Sequence, residues 1–470
     1  MKPSDKGYAE SNNGTNTLNR DKEYYGGSLF TDEPGEDFTR VWNEVHDGAG
    51  DVYSEKRTAE AVSREIADIM GRLDTGKSNE KRRTGRGIVK KLCSLLIIFS
   101  ALYCTAVFSD IPFLAKWRTI YIETAMTTKN HQWLATAFIP KFVIDRVTES
   151  SDEIQEQQYG ISSHWGAGSF HERDLYHQWK KEKGKFAAFF SEIDQNSFND
   201  FMKEHPDEFI NEKKYLVIDK AGLNDGGTPI KTVFGDQVLA IDTENAITII
   251  KVEGDGYVGR LAIVKDPSRV GLGLSRNFDE RGATIGDIAE YNNAVLAINA
   301  SGFYDPNGKG DGGNAYGLVI SKGKILKKAL GYSFKTIALD ESNRLNVGNF
   351  KNLSKFRDAA EFKPALIIDG EVLVSGSAGW GIQPRSAIGQ SKKGEILLLI
   401  VDGRAPGYSI GCTVGELASI MKRYGAYEAC NLDGGSSSLM YYNGREISKP
   451  SAANKVNGRN VPNGFVVYGR

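Results

Sequence analysis

The run Cys430-Asn431-Leu432-Asp433-Gly434-Gly435-Ser436-Ser437 places one carboxylate, two glycines and two hydroxyls within a few residues. Glycines let a substrate approach the backbone, and the carboxylate can act as a nucleophile or a general base. Asp433 is therefore the first catalytic candidate. Gly434 and Gly435 line its turn, and Ser436 and Ser437 are hydrogen-bonding candidates. Val401-Asp402-Gly403-Arg404 supplies a second acid candidate, Asp402, and a guanidinium. Arg385, in Gln383-Pro384-Arg385-Ser386, and Arg459, in Gly458-Arg459-Asn460, bring the arginine candidates to three. A guanidinium can grip two phosphate oxygens at once and stabilise departing negative charge. Asn299, in Asn299-Ala300-Ser301-Gly302, adds an amide. An Asp-Gly pair after a strand is also an ordinary turn, the better reading for Asp369 and an equal one for Asp402. None of the six histidines lies beyond His205. A Ser-His-Asp triad, a Cys-His pair and a histidine-ligated metal are thus excluded from the last 265 residues. No metal or organic cofactor is called for, and a divalent metal here would need oxygen ligands alone.

These groups stand at the ends of short apolar runs. Residues 237–242, 246–252 and 259–264 read as strands from their β-branched residues and Gly or Asp-Pro punctuation. Residues 395–401 are apolar at nearly every position, as in a strand buried on both faces. A helix, strand and polar turn occur twice. Thr284 and Thr413 each start a helix with an acid three residues on, the capping-box pattern that assigns Glu416 a capping role. The strands that follow, 294–298 and 426–430, end at Asn299 and Asn431. Either two related units deliver their turns to one pocket, or a common cap pattern recurs by coincidence; the sequence supports both readings equally. Positions 271–470 hold 30 of the 52 glycines, which fits a loop-rich, strand-containing domain. The fold class expected is α/β in composition (α+β mixed): a mixed β-sheet core with flanking helices and Gly-rich loops, preceded by one transmembrane helix.

Taken together, the Asp433 turn, Arg385-Ser386-Ala387-Ile388-Gly389, Val401-Asp402-Gly403-Arg404, the 413–425 helix and Ala297-Ile298-Asn299-Ala300-Ser301-Gly302-Phe303-Tyr304 closely resemble the phosphodiester glycosidase family. The resemblance covers roughly 240–470 and departs at Ser301, where many members have Gly, and in the Ser437-Ser438 continuation. It implies hydrolysis of a sugar-1-phosphodiester of GlcNAc-1-phosphate type, in a surface glycan or exopolysaccharide, with Asp433 or Asp402 stabilising an oxocarbenium-like centre, Arg385, Arg404 and Arg459 on the phosphate, and Asn299, Ser436 and Ser437 on sugar or phosphate. A phosphate leaving group is already anionic, so such chemistry does not need a histidine acid. The rival reading is a non-catalytic glycan-binding or exopolysaccharide-assembly protein that keeps the pocket.

The rest of the chain bounds where this chemistry takes place. Lys plus Arg total 59 and Asp plus Glu 60, so no charge excess points to nucleic acid. Residues 92–108 carry no charge, and six Lys and Arg residues from 81 to 91 precede them. That asymmetry predicts a single-pass anchor, 88–115, in the cell membrane, with the N-terminus cytoplasmic and the C-terminal domain extracellular. Residues 1–87 read as a largely disordered cytoplasmic tail, with one amphipathic helix at 58–73. Residues 71–78 match a P-loop pattern, but no strand precedes them and a membrane span follows, so the match is chance. Residues 116–234 read as an extracytoplasmic helical and linker region, and 235–470 as the catalytic domain. Residues 305–312 imitate a calcium loop but place Lys309 at a ligand position, so they read as a glycine-rich loop beside the site. Cys412 and Cys430 flank the second capping-box helix and form a candidate disulfide pair. Nothing in the sequence specifies the oligomeric state.

Overall fold

The computed structural model describes residues 83–128, 131–165, 186–205, 216–217, 228–306, 310–331, 333–451 and 457–469. The tail, its 58–73 helix and the 71–78 motif lie outside the described residues. The chain divides into two compact units, Met1–Phe108 and Ser109–Arg470.

In the first unit, helix α1 (Arg83–Phe108) contains the apolar stretch Val89–Phe108, 20 residues with a mean hydropathy of 2.0. At 1.5 Å per residue this stretch is about 30 Å long, the thickness of a bilayer's hydrocarbon core. Leu92, Leu96, Phe99 and Leu102 are exposed along it.

The second unit opens with helices α2 (Pro112–Thr127) and α3 (Lys141–Gln157), then α4 (Gln195–Glu204). Pro112 stands at the start of α2, where its missing N–H costs nothing, and Asp194 caps α4 by accepting from the Ser197 N–H at 2.8 Å. Strands β1 (Leu216–Val217), β2 (Gln237–Asp242), β3 (Ile247–Gly254), β4 (Tyr257–Val264) and β5 (Val270–Leu274) precede helix α5 (Ile285–Tyr291). Then come β6 (Ala294–Asn299), β7 (Val319–Ser321), β8 (Lys324–Lys327), β9 (Lys335–Asp340), β10 (Leu345–Gly348) and β11 (Phe356–Phe362). They are followed by β12 (Ala365–Ile368), β13 (Glu371–Val372), β14 (Arg385–Ser391) and β15 (Ile396–Val401). Helix α6 (Val414–Arg423) leads into β16 (Ala426–Asn431), β17 (Met440–Tyr442), β18 (Arg445–Glu446) and β19 (Asn463–Tyr468).

Three sheets form, in the orders β1-β2-β3-β4-β15-β14-β16-β12-β13, β10-β9-β11-β7-β8 and β18-β17-β6-β19-β5. The mixed helix-and-strand class expected from sequence stands, and the pairings within these sheets are antiparallel. β15 explains the packing. Its even-numbered residues Ile396, Leu398 and Ile400 join the core that also buries Leu296, Ile298 and Phe465 of the third sheet. Its odd-numbered residues Leu397, Leu399 and Val401 face Leu417, Ala418 and Met421 of α6. A strand's period of two thus feeds two cores, and the run is apolar because both faces are covered.

The boundary expected at 234/235 runs through continuous structure. Gln158 mimics a strand neighbour: its side chain accepts from the Ala365 N–H and donates to the Ala365 carbonyl. Glu192 and Glu395 both pair with buried Lys265, at 2.6 and 2.8 Å. The folded unit that contains the three sheets therefore includes parts of the 116–234 region, which read from sequence as helical and linker.

Candidate active site

The two helix–strand–turn units meet. Both capping boxes are formed, with Thr284 accepting from the Asp287 N–H and Thr413 from the Glu416 N–H. These bonds satisfy helix-end donors and fix where β6 and β16 begin. The turns after the two strands then bind each other. The Asn299 side-chain amide donates to the Asp433 carbonyl at 2.5 Å, and the Asp433 N–H donates to the Ala300 carbonyl at 3.1 Å. The Asn299 oxygen also accepts from the Ser386 hydroxyl at 2.8 Å. Asn299 is fully buried and its amide is used on protein partners, so it positions the Asp433 turn and does not face a ligand.

Glycine is required at two places in this turn. Gly435 has φ +63°, and a side chain there would approach the Arg404 guanidinium at 3.1 Å. A Cβ on Gly434 would sit 2.8 Å from the Pro384 carbonyl, the same carbonyl that accepts from the Gly435 N–H. Asp433 and Ser436 are half-buried at the surface of the turn, whereas Ser437 is buried beneath it.

Two of the three arginines belong to this cluster. Arg404 lies against Gly435, and its Nε and Nη2 donate to Gln383 Oε1 at 3.2 and 2.7 Å. Burial pushes its guanidinium below the ordinary value, nearby Arg459 adds to that, and Asp433 opposes it. Arg459 donates from Nη1 to Asp305 Oδ2 at 3.0 Å and to the Ser436 hydroxyl at 3.2 Å. Its guanidinium also stacks over Phe303 at 4.5 Å. Two cations, Arg404 and Arg459, and two carboxylates, Asp433 and the Asp305 that pairs with Arg459, thus surround a backbone turn at the ends of separate strands.

Arg385 is elsewhere in function. Its guanidinium is buried and donates to the carbonyls of Cys412, Trp380 and Gly381. Burial pushes it down to about 10, with Arg404 adding while Cys412 and Glu123 oppose. It shapes the loop before β14, which corrects its reading as a phosphate contact. Asp402 is buried too. Its oxygens accept from the Tyr408 hydroxyl and the Lys449 N–H, both at 2.9 Å. Burial raises its carboxyl to about 6 against the pull of Arg260, Tyr408 and Lys449. As placed, it ties two loops together behind the turn instead of presenting a second open acid. Asp369 is the turn residue expected, with φ +53° between β12 and β13.

Cys412 and Cys430 are free and buried. Cys412 packs with the α6 side of the large sheet and Cys430 with its opposite side, so the sheet separates the thiols. The disulfide expectation is corrected on that ground.

Two residues escaped the sequence reading. Gln383 stands inside a motif quoted for its arginine, yet it is the residue that holds Arg404. Its amide nitrogen donates to the Thr124 carbonyl and the Thr128 hydroxyl, at 3.1 and 2.8 Å, so the end of α2 supports the site. Asp305 is the first residue of the calcium-like loop. Its Oδ1 accepts from the Gly310 N–H while Oδ2 holds Arg459, placing that loop beside the site as expected. Among the described residues no cluster of His, Cys, Asp and Glu is arranged to hold a metal ion.

Comparison with known proteins supports the same region. A family model described as phosphodiester glycosidase matches residues 292–468. N-acetylglucosamine-1-phosphodiester alpha-N-acetylglucosaminidase from Bos taurus is 37% identical over 70 residues, which are 15% of this chain and 13% of that protein's length. The catalytic domain of the zebrafish enzyme of that name, auto-inhibited by its pro-peptide, is 20% identical with a TM-score of 0.40, over 48% of this chain and 82% of that one. A Synechocystis protein described as hypothetical is 17% identical with a TM-score of 0.36, over 48% of this chain and 62% of its own. The segment that resembles the phosphodiester glycosidase family model contains the Asp433 turn and the loops that carry Arg404 and Arg459.

Proposed function

We propose that the protein hydrolyses a sugar-1-phosphodiester of the N-acetylglucosamine-1-phosphate type in a surface glycan or exopolysaccharide, acting as a membrane-anchored enzyme. The observation that carries this reading is the pair Arg404 and Arg459 on the Asp433 turn. Their charges oppose each other there, and burial further disfavours the Arg404 cation. Asp305 already pairs with Arg459, so an anionic phosphodiester reaching both guanidiniums chiefly offsets the burial of Arg404 and its repulsion by Arg459, and gains charge-assisted hydrogen bonds. Asp433 then faces the anomeric carbon as positive charge develops on it. Water adds its oxygen to that carbon and gives up one proton to solvent, the bond between the anomeric carbon and the bridging phosphate oxygen breaks, and the phosphate leaves as a monoester with the bonding electrons. Ser436 and the backbone of the glycine turn orient the sugar or phosphate. The apolar helix α1 anchors the chain once through the membrane, with its basic flank cytoplasmic and the catalytic unit outside.

The test is release of free sugar from an alkyl N-acetylglucosamine-1-phosphodiester by the full chain in detergent. Wild type should release it, and Asp433→Asn should bind the substrate but turn it over roughly 10²–10⁴-fold more slowly. An EDTA arm reads metal dependence. Binding without turnover in the wild type, across several sugars, would sink the enzymatic reading in favour of a glycan-binding protein.

A further inference from the structure

The segment that follows α1 carries an exposed aromatic face that the catalytic chemistry does not use. On α2, Phe113, Trp117 and Tyr121 recur at four-residue spacing, which aligns them in one stripe. The opposite face of the helix, with Ile122, Glu123 and Ala125, is buried in the second unit. The Tyr121 hydroxyl donates to the Leu134 carbonyl at 2.8 Å, joining the stripe to the turn that carries Trp133. Phe138 and Phe142 continue the exposed aromatics to the start of α3. These six rings expose between 42% and 67% of their surface. Lys116 and Lys141 are exposed among them.

We infer that this face seats in the headgroup zone of the bilayer, so that the catalytic unit lies against the membrane surface instead of hanging free from its anchor. The inference rests on the proposed span through α1. Three features of the chain favour lipid over another occupant. The apolar helix ends at Phe108 and α2 begins at Pro112, so the chain delivers the face within four residues of the span. Trp and Tyr, with an apolar ring and a polar edge, are the side chains that suit the membrane–water boundary. Lysines beside an apolar stripe can reach up to lipid phosphates while their stems stay with the rings. A fixed seat of this kind holds the substrate cleft at one height, which favours glycans whose phosphodiester lies close to the surface.

The experiment uses the full chain reconstituted in phosphatidylcholine vesicles, with tryptophan fluorescence quenched by lipids brominated near the headgroup end of the acyl chain. Trp117→Phe and Trp133→Phe keep the apolar face and should each remove a large share of the quenchable signal. Trp165→Phe and Trp380→Phe should leave it unchanged. Equal quenching in all four variants, with Trp117 and Trp133 open to aqueous acrylamide, overturns the seating. Protection from both quenchers, together with cross-linking between copies, overturns it in favour of a self-association surface. Flotation of the chain with vesicles is measured first. A chain that fails to float removes the span itself, whereas a floating chain without bromolipid quenching removes only the seat.

Discussion

Arg404 and Arg385 show how differently two arginines of neighbouring motifs are used. Arg404 stands in the left-handed region at φ +59°, with its side chain lying on the Gly435 turn. Replacing it with Ala should cost roughly 10²–10³-fold in turnover of the phosphodiester with little change in melting temperature, since it bonds only a neighbouring amide. Arg385→Ala should instead lower the melting temperature, because three loop carbonyls lose their donor inside the fold. Glu428 offers a test with a definite sign. It is fully buried on β16, one oxygen accepts from the Asp369 N–H, and the other has no hydrogen-bond partner. Burial first, and the charge of Asp369 with it, raise its carboxyl to about 9 from 4.5. The folded protein therefore holds a proton that the unfolded chain releases, so this contribution to stability is complete below pH 4.5 and is lost as pH rises toward 9. Its slope reaches at most about 1.4 kcal/mol per pH unit. Glu428→Gln should flatten the fall of melting temperature between pH 5 and 9, and a fall unchanged from wild type would refute that assignment. At this scale residue type was legible in the sequence but direction was not. Arg385 and Ser386 are adjacent on β14, yet one bonds loop carbonyls while the other bonds Asn299, as a strand's alternation demands.

The elements were more legible. The runs 237–242, 294–298 and 395–401, and both capping boxes, fall where the structure places β2, β6, β15, α5 and α6. Local periodicity and cap chemistry suffice for those. Pairings between distant segments leave no such local signal, and so the role of α2 went unread. Its Thr124 and Thr128 grip the Gln383 amide, whose oxygen holds Arg404. Gln383 is thus a positioning residue that connects one helix end to one guanidinium. Gln383→Ala should weaken the phosphodiester interaction, seen as a rise in KM larger than the fall in kcat, while Gln383→Glu should shift the pH profile by placing a carboxylate against Arg404. Equal kinetic effects of both replacements would argue for a merely structural role. The Asn299–Asp433 contact makes a companion case. Asn299→Ala removes the donor to the Asp433 carbonyl and one of the two hydroxyl partners of Ser386, which also bonds Ser438, and should cost about 1–3 kcal/mol in stability along with much of the turnover.

The second unit, Ser109–Arg470, is one compact unit, and its extent follows from which polar groups its core obliges to pair. Lys265 is buried and holds two carboxylates, one on Glu395 beside β15 and one on Glu192 far upstream. Lys335 donates to the Gln158 carbonyl and to the Asn349 side chain, and burial pushes its ammonium down to about 8. The Gln158 side chain also completes the backbone bonding at Ala365 on β12. A fragment beginning at residue 235 removes Glu192 and Gln158 together. It leaves one cation short of a carboxylate and another without its carbonyl, and it uncovers strand backbone that the segment before 165 satisfies. Removing one partner of a buried ion pair costs about 3–5 kcal/mol, a large part of the about 5–15 kcal/mol that holds an ordinary domain together. The 235–470 fragment should therefore aggregate or melt well below the intact chain, whereas a chain beginning at residue 109 should fold cooperatively. Glu192→Gln in the full chain isolates the ionic part of that difference and should lower the melting temperature without changing the ratio of kcat to KM. A 235–470 fragment that melts cooperatively at the temperature of the full chain would show that the membrane-proximal helices only decorate the fold.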